Sequence, residues 1–123
     1  MAIKHVLMVD DSRLARMMLR GILTQGLPGW QILEADSAAQ ALERVADVVP
    51  DLALIDYNMP DRDGLSLAIE LKQRFPGLSA HLVTANIQDR MRDRALTAGV
   101  GFIQKPITRE RLLESLPIPT DPP

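Results

Sequence analysis

Leu52-Ala53-Leu54-Ile55-Asp56 is the stretch that decides the fold: four consecutive apolar residues end on a carboxylate, and Asn58, Met59 and Pro60 follow as turn residues. A central strand of a parallel sheet needs this composition, because helices cover it from both sides and leave no face for polar alternation. The same unit recurs outward in both directions: a short run rich in Val, Ile and Leu, then a longer stretch of helical periodicity. Upstream, Lys4 to Val9 reads as the first strand, and Leu14, Met17, Met18, Gly21 and Ile22 recur at helical spacing until Gly26, Pro28 and Gly29. Gln31 to Ala35 reads as the second strand, and Leu42, Val45, Ala46 and Val49 predict a helix running to Pro50. Downstream, Leu67, Ala68, Leu71 and Phe75 form an apolar stripe that stops at Pro76 and Gly77, before a fourth strand from Ala80 to Val83. Ile87, Met91, Ala95 and Ala98 share the next helical face, Gly99 is placed to cap it, and Val100 to Ile103 make a fifth strand. Thr108 is the expected N-cap of a last helix carrying Leu112, Leu113 and Leu116. Five βα units with right-handed crossovers predict a doubly wound three-layer α/β domain, with a parallel sheet in the order 2-1-3-4-5.

The 123 residues fit one domain, expected over residues 1–116, followed by a proline-rich tail over 117–123 that the composition predicts to be extended or disordered. A net charge of -2 argues against a nucleic-acid binder that works by broad phosphate neutralisation; no direct nucleic-acid partner is expected. The chain has no cysteine, which removes disulfides and thiolate chemistry and fits a reducing cytosol. No apolar run is long enough to span a bilayer, so the expectation is a cytoplasmic protein without a membrane partner.

In doubly wound sheets ligands bind beyond the carboxyl ends of the strands, near the point where strand order reverses. Asp10 and Asp11 follow the first strand, Asp56 ends the third, Thr84 the fourth and Lys105 the fifth, so all five side chains are expected at one edge. Three carboxylates in one cleft repel one another unless a cation joins them, and an all-oxygen ligand set suits Mg²⁺. Asp10, Asp11 and Asp56, with the backbone carbonyl of Asn58, are the expected metal ligands. Phosphoryl transfer needs a nucleophile in line and positive charge around the equatorial oxygens. Asp56 supplies the first as a carboxylate nucleophile; the metal, Lys105 and the Thr84 hydroxyl supply the second.

Taken singly, each residue has a plainer reading. Asp11 or Ser12 is a helix N-cap, Lys105 a solvated lysine, Thr84 an ordinary strand residue, Phe102 a core residue and Asn58 a turn residue. What favours the chemical reading is that acidic pair, single acid, hydroxyl and lysine each terminate a different strand of one sheet.

Through Leu116 the chain resembles the receiver family of two-component response regulators, a flavodoxin-like, CheY-like fold. Asp10 and Asp11 are similar to that family's acidic pair, Asp56 to its phosphoacceptor, Asn58 to its metal-carbonyl position, and Met59, Pro60 and Gly64 to the loop and glycine that open the third helix. Thr84 with the small Ala85 resembles the switch hydroxyl and its neighbour, Phe102 the switch aromatic, and Lys105 with Pro106 a Lys-Pro pair often joined by a cis peptide. The resemblance implies a phosphoryl group accepted on Asp56 from a sensor histidine kinase or a histidine phosphotransfer protein, and a phosphoacceptor role in place of enzymatic turnover. It also implies a downstream protein target reading the fourth helix, fifth strand and fifth helix, with the chain a monomer or weak dimer. Ile107 departs from the aromatic common after the Lys-Pro pair. Val100 and Gly101 stand where one DNA-binding subfamily has an acidic pair, which argues against a dimeric transcription factor. Asn58 and Asn86 resemble positions that tune dephosphorylation.

Two readings of the first helix stand side by side: methionines in the core, or Leu14, Met18 and nearby arginines as the face that docks the phosphodonor. The rival enzyme, a phosphatase of the haloacid-dehalogenase type, would carry Asp-x-Asp after the first strand, whereas these acids are adjacent. A flavodoxin would carry a Ser/Thr-rich phosphate loop there, and Asp10 and Asp11 would repel its phosphate. The remaining alternatives are a phosphorylation-independent binding module and a phosphate sink or relay.

Overall fold

A computed structural model describes residues 4–115; Leu116 and the proline-rich 117–123, like residues 1–3, lie outside the described residues. The strands are β1 (His5–Val9), β2 (Gln31–Ala35), β3 (Leu52–Asp56), β4 (Ser79–Thr84) and β5 (Gly101–Gln104), interleaved with α1 (Arg13–Gly26), α2 (Ala38–Arg44), α3 (Gly64–Arg74), α4 (Asp89–Ala98) and α5 (Arg109–Ser115). All strand pairs are parallel and the sheet order is β2-β1-β3-β4-β5, as the sequence predicts. Every residue of β3 is buried, which is why its run shows no polar alternation.

Strand alternation divides the core in two. Leu7, Val9, Ala53, Ile55, Ala80 and Leu82 face α2, α3 and α4, whereas Val6, Met8, Leu52, Leu54, Val83 and Ile103 face α1 and α5. Burying each such Leu, Ile or Val contributes roughly 1.5–3 kcal/mol, so the three-layer sandwich follows from these strand residues alone.

Caps set most helix starts. Ser12 accepts from Ala15 N, Ser37 from Gln40 N, Asp63 from Ser66 N and Thr108 from Arg111 N. Gly99 ends α4 in the left-handed region at φ 75, as its placement predicts. Among the described residues, no helix is long and apolar enough to cross a membrane.

Four details correct the sequence reading. Along α1 the buried residues are Leu19 and Leu23, with Ile22 half-buried, while Leu14, Met17 and Met18 are 66%, 62% and 63% exposed and Gly21 is exposed too. The helix carries two apolar stripes, and the sequence reading mixed them, taking Leu14, Met17 and Met18 from the solvent one and Ile22 from the buried one. The second helix does not reach Pro50. It ends at Arg44, with Val45 as cap and Ala46 and Val49 exposed, because Val45, Asp47, Val48 and Val49 are poor helix formers and Ala38, Ala41 and Val45 already fill the buried face. Ile87 precedes α4, and Leu113 lies at the edge of the solvent face of α5.

Candidate functional site

Asp10 leaves β1 with its amide still paired to Ala35 O at 3.1 Å, so the sheet carries the acid to its carboxyl edge. Its side-chain Oδ1 accepts from Ser12 N at 2.9 Å, where the chain turns into α1. Asp56 closes β3 beside it, and both acids are 6% exposed; Asp11 is exposed at the mouth of the same cluster. Oxygens of all three carboxylates lie within 4.8 Å of one another.

Lys105 follows β5 and is held there by its amide, which donates to Thr84 O at 2.9 Å. Its ammonium stands 2.9 Å from Asp56 Oδ1 and 3.8 Å from Asp10 Oδ2. The Lys105-Pro106 peptide is cis. Burial raises the Asp56 carboxyl above the ordinary carboxylate range; the Lys105 hydrogen bond works against that, and the charges of Asp10 and Asp11 add to it. For Lys105, burial alone would lower the ammonium, but the bond to Asp56 and the fields of Asp56, Asp10 and Asp11 outweigh it and hold it above its usual value.

Three ionised carboxylates against one ammonium leave two negative charges in the cluster, the charge a divalent cation would neutralise. Oxygen donors at this spacing could hold a hard cation, so the donor set fits magnesium.

Thr84 reaches the same sheet edge and is buried, but its hydroxyl is engaged with its own loop: Oγ1 accepts from Asn86 N at 3.2 Å and lies 3.3 Å from Asn86 O. With Tyr57, Asn58, Ala85, Asn86 and Met91 it lines a recess between the β3–α3 and β4–α4 loops. Asp10, Asp11, Asp56 and Lys105 are therefore gathered as expected, with Thr84 and Asn58 one loop away. Phe102 is half-buried against the cluster that holds Met91 and Leu82. Pro60 and Pro106 are exposed in their loops. Gly64 is required sterically. A Cβ there would overlap Asp56 O and stand 3.0 Å from Tyr57 Cα, while Gly64 N donates to Tyr57 O at 2.8 Å.

A groove runs from Asp10, Asp56 and Lys105 between α1 and the β5–α5 loop, walled by Met18, Leu19, Ile22, Pro106 and Ile107. Met18 belongs to the exposed stripe of α1, so the core reading of the methionines Met17 and Met18 does not hold.

Two residues at the site escaped the sequence reading. Arg16 donates through Nη1 to Asp10 O at 2.6 Å; the available signal was an arginine on the same helical face as Leu19 and Leu23. Asp61, in the β3–α3 loop, accepts from Ala38 N at 3.1 Å and Ala39 N at 2.9 Å, tying that loop to the start of α2. No local pattern encodes a cap that comes from 22 and 23 residues away.

The family sequence model described as response regulator receiver domain matches residues 6–117. The chain is 35% identical over 114 residues to the chemotaxis protein CheY of Bacillus subtilis, covering 91% of this chain and 93% of that one. It is 33% identical to the chemotaxis protein CheY of Thermotoga maritima, covering 92% and 94% of the two chains. Among solved structures, a CheY-like response regulator receiver domain protein from Methanospirillum hungatei superposes with a TM-score of 0.83 at 28% identity, covering 92% of this chain and 90% of that one.

Proposed function

This chain belongs to the response regulator receiver domain family, and we propose that within it Asp56 accepts a phosphoryl group from a phosphohistidine of a sensor kinase or histidine phosphotransfer protein. The observation that carries this reading is the buried Asp56 carboxylate, bonded to Lys105 at 2.9 Å with oxygens of Asp10 and Asp11 within 4.8 Å.

In the proposed reaction an Asp56 oxygen attacks phosphorus in line, the P–N bond to the donor imidazolium breaks, and the ring leaves as neutral imidazole, keeping the proton already on its other nitrogen. Asp10, Asp11, Asp56 and the Asn58 carbonyl would hold Mg²⁺, which supplies charge neutralisation at a phosphoryl oxygen. Lys105, already paired to the nucleophile, neutralises a second oxygen, and its grip on Asp56 fixes the attacking carboxylate. The Thr84 hydroxyl would exchange its Asn86 partner for the third. The domain thus acts as a phosphoacceptor that loses its phosphoryl group by intrinsic hydrolysis.

Phosphorylation adds a charge of about -1.5 to -2, and Thr84 turning towards it would open space for Phe102. The surface that responds is α4, β5 and α5, read by a downstream protein. The start of α4 supports this assignment: Gln88 makes no side-chain cap bond there, whereas Ser12, Ser37, Asp63 and Thr108 cap the other helices. Intact mass after incubation with Mg²⁺ and a small acyl phosphate tests the reading. One phosphoryl group is expected on the wild type, and none on Asp56→Asn or in chelator. No adduct on a folded wild type, with rapid hydrolysis excluded, would favour a phosphorylation-independent binding module.

A further inference from the structure

We infer that Arg16 is a positioning residue for the acid cluster, fixing the Asp10–Asp11 peptide so that both carboxylates converge on one metal ion. This rests on the metal-dependent reading above. Asp10 is held at three points. Its amide is fixed by β2 through Ala35 O at 3.1 Å, its carboxylate by Ser12 N at 2.9 Å, and its carbonyl by Arg16 Nη1 at 2.6 Å. The third contact sets the plane of the peptide that leads into Asp11. That matters because the Asp11 side chain is exposed and no hydrogen bond among the described residues holds it.

Arg16 is itself held. Its side chain is 17% exposed on the face that carries Leu19 and Leu23, and its Nε donates to Glu34 Oε1 of β2 at 3.3 Å. Arg20 binds the other oxygen of Glu34 from the exposed side of the helix, outside the contacts that reach Asp10. The guanidinium holds Nε on Glu34 and Nη1 on the Asp10 carbonyl in one rigid plane, whereas a lysine would offer a single flexible point charge. Glu34 also takes up guanidinium charge, which limits the repulsion a nearby cation would meet. Arg20 shares Glu34 but makes no contact with Asp10 among the described residues, and so serves as an internal control.

The test is calorimetric titration with Mg²⁺ of the wild type, Arg16→Gln, Arg16→Lys and Arg20→Gln, each with its unfolding midpoint in chelator. Partners that orient metal ligands typically carry a tenfold or larger effect on affinity, so Arg16→Gln is expected to raise the Kd for Mg²⁺ about tenfold. Arg16→Lys should fall between Arg16→Gln and the wild type, and Arg20→Gln should change Kd less than about twofold. In phosphorylation by a small acyl phosphate, the half-saturating Mg²⁺ concentration should rise more than the saturating rate falls. If Arg16→Gln does not fold, Arg16→Lys carries the comparison. Mg²⁺ affinity within twofold of wild type in the folded Arg16 variants overturns the inference, as does an equal loss in Arg20→Gln. A folded wild type that binds no Mg²⁺ overturns the metal-dependent reading itself, and this inference with it.

Discussion

The Lys105 ammonium donates to Asp56 Oδ1 at 2.9 Å while burial holds the same carboxyl above its ordinary range. The lysine therefore opposes the effect of burial and helps keep the nucleophile ionised. Lys105→Gln is expected to raise the Asp56 carboxyl further and to slow phosphorylation from a small donor by about a hundredfold, the usual cost of losing one charge-stabilising donor. A pH–rate profile checks both effects: the acid limb should move to higher pH as the rate falls.

Asp56→Asn should stabilise the fold. A carboxyl raised above its unfolded value binds protons more tightly in the native state, so stability falls as pH rises from the unfolded value of 3.8 through the raised one. At neutral pH an ionised Asp56 is then a net cost, which the neutral amide removes. The expected gain without metal is about 1 kcal/mol, or about 3–5 °C in Tm for a domain of this size. Added Mg²⁺ should narrow the gap by stabilising the wild type. A lower midpoint for Asp56→Asn in chelator would contradict this.

His81 makes acidification destabilising. Its ring is 5% exposed on β4, and Nδ1 has no partner among the described residues, with Nε2 3.0 Å from Ser79 Oγ. Burial lowers its pKa from 6.5, so below 6.5 the unfolded chain binds more protons than the native one and stability is lost as pH falls towards the depressed value. Midpoints measured between pH 7 and pH 5 should drop more steeply for the wild type than for His81→Leu. The ring also lies where Gly101 would carry a Cβ, 2.6 Å from Nδ1, so Gly101→Ala should cost about 1–3 kcal/mol.

Asp61 should govern how firmly the β3–α3 loop is tied to α2. Its carboxyl is held below the ordinary range by the amides of Ala39 and Ala38, so this contribution is present above 3.8 and is lost as pH falls through the lowered value. In Asp61→Ala, the amides of Ala38 and Ala39 should exchange with solvent about tenfold faster at neutral pH, while amides in β3 keep their protection.

The sheet was legible in the sequence because its strands are short runs rich in Val, Ile and Leu that end near a polar or turn residue, and the acid–lysine cluster because its members follow or end those strands. Helix faces were harder to read. In α1, Leu14, Met17 and Met18 compete with Leu19, Ile22 and Leu23 at identical spacing, and periodicity cannot tell which stripe meets the sheet. In α2 the buried face is built largely from Ala38 and Ala41, which a search for large apolar residues passes over. The partner of Thr84 was not legible either, since its bond to Asn86 depends on a loop path that strand patterns do not encode.

The solvent stripe of α1 is uncoupled from the structure beneath it. Leu14, Met17 and Met18 add almost nothing to the core, and neither Leu14 nor Met17 lines the groove that ends at Asp56. Replacing those two should leave folding free energy within about 0.5 kcal/mol of its starting value. Substitutions can then accumulate at that helix face while the acid–lysine cluster and the fold beneath it stay fixed.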